Sequence, residues 1–99
     1  MTRSRVDGNQ AALVKFIRAQ GASWQHTHTV PGALDGIIGY RGVDIRCEIK
    51  DPSQPPSKRR LTPDEIKTIR EWKGRRPAMI ETEDQALKLL DQIRTEEAL

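Results

Sequence analysis

Glu48 and Lys50 stand two residues apart in the run Cys47-Glu48-Ile49-Lys50-Asp51, and Asp35 lies thirteen residues ahead of Glu48. On an extended strand, side chains two apart project from the same face. Two carboxylates converging from neighbouring strands form a hard oxygen site suited to Mg²⁺ or Mn²⁺. A lysine beside them adds a positive donor that orients a water or hydroxide and steadies a phosphorane-like transition state. Phosphodiester cleavage needs an activated water and neutralised charge on the attacked phosphate, and a bound divalent cation supplies both. A bare Glu-x-Lys triplet is equally the pattern of an ordinary surface ion pair. Asp35 at hairpin spacing is what sets this one apart.

The elements around these residues bring them together. Leu34 to Tyr40 reads as a short strand, Arg41-Gly42 as a hairpin turn, and Val43 to Lys50 as the next strand. Antiparallel pairing through that turn sets Asp35 across from Glu48 and Lys50. In the second of these strands Val43, Ile45, Cys47 and Ile49 point one way, and Asp44, Arg46, Glu48 and Lys50 the other. Upstream, Asp7-Gly8-Asn9 offers capping residues. Ala11, Leu13, Val14, Phe16 and Ile17 recur at mostly helical spacing, and Gly21 stops a helix spanning roughly 9–20. Ser23 to Val30 alternates, with Trp24, His26, His28 and Val30 on one side, and predicts a polar strand before a Pro31-Gly32 turn.

Downstream, Asp51 to Arg60 carries three prolines, two serines and three consecutive basic residues, the composition of a mobile loop. Thr62 as N-cap, Pro63 at the first helical position and the acids Asp64 and Glu65 start a helix that runs to about Trp72 and stops by Gly74. Pro77 to Ile80 is a short strand. Thr82 caps a last helix with Ala86, Leu87, Leu89, Leu90 and Ile93 on its apolar side. The order helix, strands, helix, strand, helix predicts an α/β fold: one domain over residues 1–99, with a central mixed β-sheet flanked by helices.

The run Pro31-Gly32-Ala33-Leu34-Asp35-Gly36 followed by Cys47-Glu48-Ile49-Lys50 resembles the signature of the PD-(D/E)XK nuclease superfamily, and more closely the small VRR-NUC-type nucleases of phages and bacteria. The resemblance extends over nearly the whole chain. It includes Asp7-Gly8-Asn9-Gln10, Gly39-Tyr40-Arg41-Gly42, Leu61-Thr62-Pro63-Asp64-Glu65, Trp72-Lys73-Gly74 and the acidic start of the last helix with Ala86-Leu87. It implies a restriction-endonuclease-like fold, with Asp35, Glu48 and the backbone carbonyl of Ile49 holding Mg²⁺ or Mn²⁺ and Lys50 assisting the water. It also implies action on branched DNA, Holliday junctions included, by a homodimer. Two positions depart from the family pattern. Leu34 stands where a proline usually precedes the first aspartate. Gln10 stands where relatives often carry a glutamate that reaches the metal, so an amide oxygen replaces a charge there.

Composition fits a partner of opposite charge. The chain has 99 residues and a net charge of +3. Residues 1–78 carry fifteen basic against eight acidic side chains, a net of +7, whereas residues 79–99 hold six acidic and two basic. Basic surfaces attract polyanions. Lys58, Arg59 and Arg60 in the loop, with Arg75 and Arg76 after the second helix, are the candidate phosphate contacts. Solvated surface charge is the plainer account of the same residues. Charged residues make up 31% of the chain and aromatics 4%, a modest core that a second protomer would complete. No apolar run approaches the roughly 18–20 residues of a membrane span, and no apolar signal segment follows the basic N-terminus. The single cysteine, Cys47, excludes an intrachain disulfide and points to a reducing, cytoplasmic setting.

His26 and His28 lack the third soft ligand that zinc needs, and read as packing or phosphate-contacting residues. Trp24 and Trp72 read as core or dimer contacts, and Cys47 as a buried apolar residue. The expectation is a Mg²⁺-dependent endodeoxyribonuclease selective for branched DNA. The alternatives are a nuclease-fold module that grips DNA without efficient cutting, or a subunit of a larger restriction or repair assembly.

Overall fold

A computed structural model describes residues 8–98. The first helix, α1 (Gln10–Ala19), buries Gln10, Leu13, Val14 and Ile17, the stripe that a 3.6-residue repeat puts on one face. Gly21, with φ +89°, takes the chain out of the helix. Strand β1 (Ser23–His26) follows, then β2 (Gly36–Tyr40) and β3 (Val43–Ile49). Arg41 and Gly42 join β2 to β3 with φ of 51° and 80°, the paired positive values of a two-residue hairpin whose twist matches the strands.

After a short 3-10 turn at Pro56–Lys58 come α2 (Pro63–Glu71), β4 (Ala78–Ile80) and α3 (Glu83–Ala98). The sheet order is β1-β2-β3-β4. The first two pairings are antiparallel, and β3 with β4 is parallel. The expected α/β architecture with a mixed sheet is therefore what the chain adopts.

Register sorts the two faces. Trp24, Ile38, Tyr40, Ile45, Cys47, Ile49 and Ile80 meet Leu13, Val14 and Ile17 of α1 and Ala86, Leu90 and Ile93 of α3 in one core. The other face carries Asp44, Arg46 and Glu48, and α2, which buries none of its residues, lies beside it. Gly36 is forced by this packing, since a Cβ there would stand 2.3 Å from the Trp24 ring.

One element is shorter than its pattern predicts. The alternation from Ser23 to Val30 ends as a strand at His26. Beyond it the Thr27 N–H donates to the Asp35 carbonyl (2.9 Å), the Thr27 hydroxyl to the Leu34 carbonyl (2.7 Å), and the Val30 N–H back to Thr27 (3.0 Å). These bonds turn the chain back, and Val30 is 55% exposed. Within the loop after β3, Pro56 to Lys58 close a 3-10 turn.

Candidate active site

The hairpin register sets Gly36 opposite Cys47, so Asp35, one residue before β2, comes level with Glu48. The Ile49 N–H donates to Asp35 Oδ2 at 2.7 Å, which fixes that carboxylate on the end of β3 and brings the Ile49 backbone to the site. The Lys50 N–H donates to the Ile80 carbonyl, so β4 holds the strand end from its other side. Lys50 Nζ lies 3.2 Å from Glu48 Oε2 and 3.2 Å from Glu65 Oε1. Asp35, Glu48 and Lys50 are all buried, at 8%, 4% and 8% exposure. A surface ion pair would be open to water, and this group is not.

Burial dictates the electrostatics. Removal from water pushes the Glu48 carboxyl up to about 9, helped by its hydrogen bond to Glu65 and by the negative charges of Asp35 and Glu65, with Lys50 opposing. Burial works against the Lys50 ammonium, but the Glu48 and Glu65 carboxylates outweigh it and hold Lys50 above its ordinary value. Glu65 sits below the usual carboxylate range. Its burial is outweighed by hydrogen bonds from Glu48, the Thr62 backbone and Lys50.

Glu65 is the site residue that sequence reasoning passed over. Thr62-Pro63-Asp64-Glu65 is a visible capping box, and both its bonds form: Thr62 Oγ1 accepts from the Glu65 N–H (3.1 Å), and Glu65 Oε1 accepts from the Thr62 N–H (2.8 Å). The capping role accounts for the residue locally. Its second partner, Lys50, is brought to it only by tertiary structure.

Asn9 reaches the same end of the sheet, and Gln10 is its neighbour in sequence. Asn9 is the N-cap of α1 yet makes no side-chain cap. Its Nδ2 donates instead to the Lys50 carbonyl (3.1 Å) and the Glu81 carbonyl (3.0 Å), tying the helix start to the ends of β3 and β4. Gln10 follows, 1% exposed, with neither amide atom hydrogen-bonded. No hydrogen bond joins it to the carboxylates.

The donor set fits a hard divalent cation in its chemistry. Asp35 and Glu48 supply carboxylate oxygens, and the amide of Gln10, the residue after Asn9, is buried with no hydrogen-bond partner. Mg²⁺ takes one or two carboxylates and keeps several waters, so two suffice. Among the described residues no cluster of three or more His, Cys, Asp or Glu side chains gathers around one point.

The basic residues divide. Arg59 Nη1 pairs with Glu81 Oε2 at 3.2 Å, and Arg75 makes a two-pronged pair with Glu96 at 2.6 and 2.9 Å. Lys58, Arg60 and Arg76 are exposed and make no ion pair among the described residues. His26 and His28 do not share a strand face, though their rings meet edge-on with centroids 5.6 Å apart. Trp24 is in the core, whereas Trp72 is 40% exposed with the Arg46 guanidinium 3.9 Å from its ring centre. Cys47 is fully buried on the core face, and burial pushes its thiol well above the ordinary range.

Comparison with protein-family models, with curated proteins and with solved structures finds no match to this chain. No helix among the described residues is long and apolar enough to cross a membrane.

Proposed function

We propose that the chain is a metal-dependent endodeoxyribonuclease whose active site is Asp35, Glu48 and Lys50. The observation that carries this reading is their convergence. Two carboxylates from adjacent strands and a lysine 3.2 Å from one of them are buried together where β2 begins and β3 ends. Asp35 and Glu48 would hold Mg²⁺ or Mn²⁺ with the Ile49 carbonyl, and a bound cation would neutralise phosphate charge and activate water. Lys50, anchored by Glu65, orients that water and meets the negative charge that develops on the phosphate. Exposed Lys58, Arg60 and Arg76 carry the flanking phosphates. Branched DNA as the preferred substrate, a homodimer as the working form and a cytoplasmic setting belong to the same proposal, on the resemblance described above.

The second reading is a DNA-binding module that does not cut efficiently. It is favoured by Gln10, an uncharged group where the resemblance calls for a carboxylate. One experiment separates them: labelled linear, flap and four-way-junction DNA incubated with and without Mg²⁺ or Mn²⁺, for the wild type, Asp35→Asn and Lys50→Ala. Cutting that needs the metal and is lost in both variants supports the nuclease. Binding without cutting in either metal supports the module, and cutting undiminished in the variants sinks the site assignment.

A further inference from the structure

One face of α1 and the end of the edge strand β1 enclose a cavity of about 360 Å³, lined by Gln10, Ala11, Val14, Lys15, Arg18 and His26. That volume is within the roughly 300–1,000 Å³ of small-molecule sites and far below what a duplex needs. We propose that it holds a single unstacked nucleotide of the bound DNA strand, its phosphate on Lys15, Arg18 and His26 and its sugar and base against Ala11 and Val14. The inference rests on the DNA-cutting reading above and deepens it by naming where the strand is held away from the cut.

The donors are pre-positioned. Arg18 Nη2 donates to the Trp24 carbonyl at 3.2 Å, which anchors the guanidinium beside the cavity and leaves its other N–H groups for a ligand. The Trp24 indole N–H donates to His26 Nδ1 at 3.0 Å. In the neutral ring that bond leaves the proton on Nε2, as a second fixed donor. Lys15 adds a mobile ammonium. No carboxylate is among the lining residues, and neither Lys15 nor Arg18 is ion-paired among the described residues. A cationic rim over aliphatic walls complements a phosphate joined to a sugar and a base, and is poorly matched to a wholly apolar ligand.

The cavity shares an end of the sheet with the carboxylates but lies on the other face. His26 pairs in register with Gly36, the neighbour of Asp35, and Trp24 and α1 pack on the Cys47 face whereas Glu48 projects from the opposite one. Gln10, on the other wall, follows Asn9, which is bonded to the Lys50 carbonyl. A strand held both at Asp35 and Glu48 and in the cavity therefore passes round this end of the sheet, and the cavity takes a nucleotide further along the strand from the cut. Taking one nucleotide out of the stack is easiest at a branch or an end, where fewer base contacts are lost.

The test uses the whole chain in EDTA, so that nothing is cut. A short thymidine oligonucleotide, thymidine monophosphate and inorganic phosphate are titrated while the Trp24 indole and His26 ring signals are followed by NMR. The oligonucleotide and the monophosphate should both shift these signals, and phosphate alone should bind more weakly. Two variants are then compared by oligonucleotide anisotropy. Lys15→Ala/Arg18→Ala should weaken binding about tenfold and flatten its log–log salt slope by roughly 0.7, one single-strand phosphate contact. Ala11→Trp, on an exposed helix position, fills the cavity with the charges intact and should also weaken binding.

Wild-type affinity in Ala11→Trp overturns the pocket, and phosphate binding as tightly as the monophosphate overturns the nucleotide assignment. Equal binding by wild type and both variants leaves the nuclease reading standing and removes only this inference. A wild type that cuts DNA in Mg²⁺ yet binds no oligonucleotide in EDTA removes this inference alone, and one that neither binds nor cuts removes both.

Discussion

Glu65 fastens the start of α2 to the end of β3, with the Thr68 hydroxyl bonded to the Gly32 carbonyl (2.7 Å) further along the helix, and removing Glu65 should loosen the helix start without touching the sheet. Helix α2 buries none of its residues, so packing contributes little to holding it. One carboxylate oxygen, Oε1, accepts from both the Thr62 N–H and Lys50 Nζ. The capping bond is worth about 1 kcal/mol. The Lys50 pair is shielded, with side-chain exposures of 10% and 19%. It therefore belongs above the ~0.5 kcal/mol of an exposed pair and nearer the ~1.5 kcal/mol of a hydrogen bond to a charged group. Glu65→Ala thus removes about 2–3 kcal/mol from the local stability of α2, and amide exchange in residues 66–71 should accelerate by roughly 30- to 150-fold. Glu65→Gln keeps an oxygen for the Thr62 N–H and should fall between the two. Hydrogen exchange read by mass spectrometry resolves this, with Ile45 and Cys47 in β3 as internal controls. Unchanged exchange in α2, or a loss shared equally by the sheet, would show that the helix is held by something other than this residue.

Four further outcomes follow from the same geometry. In EDTA, Glu48→Gln should be more stable than wild type at neutral pH. The folded-state pKa of about 9 stands above the ordinary 4.5, so wild-type stability is greatest below about 4.5 and falls as pH rises towards 9. At ~1.36 kcal/mol per unit, about 3 kcal/mol is the upper bound at pH 7, and a variant less stable than wild type in thermal unfolding refutes it. Replacing Lys58, Arg59 and Arg60 with alanine should flatten the salt slope of duplex binding in Ca²⁺ by roughly 1.8, because Arg59 is already paired with Glu81 and only two phosphate contacts are lost; an unchanged slope makes the cluster plain surface charge. Gln10→Glu should lower Tm in EDTA, since it buries an unpaired charge, and recover in Mn²⁺; an equal deficit in both conditions removes Gln10 from the metal site. Cys47 should resist thiol reagents until the chain unfolds, and rapid labelling of the native protein would contradict its burial.

The sequence made the hairpin legible because each of its signals is local. Arg41-Gly42 carries the turn, and the alternation of β3 separates Cys47 from Glu48. The Thr62 cap was legible for the same reason. The reading failed at His28 and Val30, where alternation continues but the chain does not stay extended. The Thr27 bonds to Asp35 and Leu34 that end β1 join residues seven or eight apart and leave no trace in a period-two pattern. Asn9 was legible as a cap by type, yet its amide is claimed by the Lys50 and Glu81 carbonyls, 41 and 72 residues away. Local propensity sets which elements form, and long-range bonds reassign individual polar side chains within them.

Burial at the strand ends bears on how the proposed site would take a metal. Glu48 and Glu65 face Lys50, and the negative charge of Asp35 reaches Glu48. Holding several ionised carboxylates together away from water is costly. Burial and the neighbouring carboxylates push the Glu48 carboxyl up, which favours its neutral form. On the proposed reading, a divalent cation beside Asp35 and Glu48 would work the other way and favour their ionised forms. A glutamate at position 10 would add one more buried negative charge, whereas the uncharged Gln10 adds none, so Gln10 on its own does not argue against a bound cation.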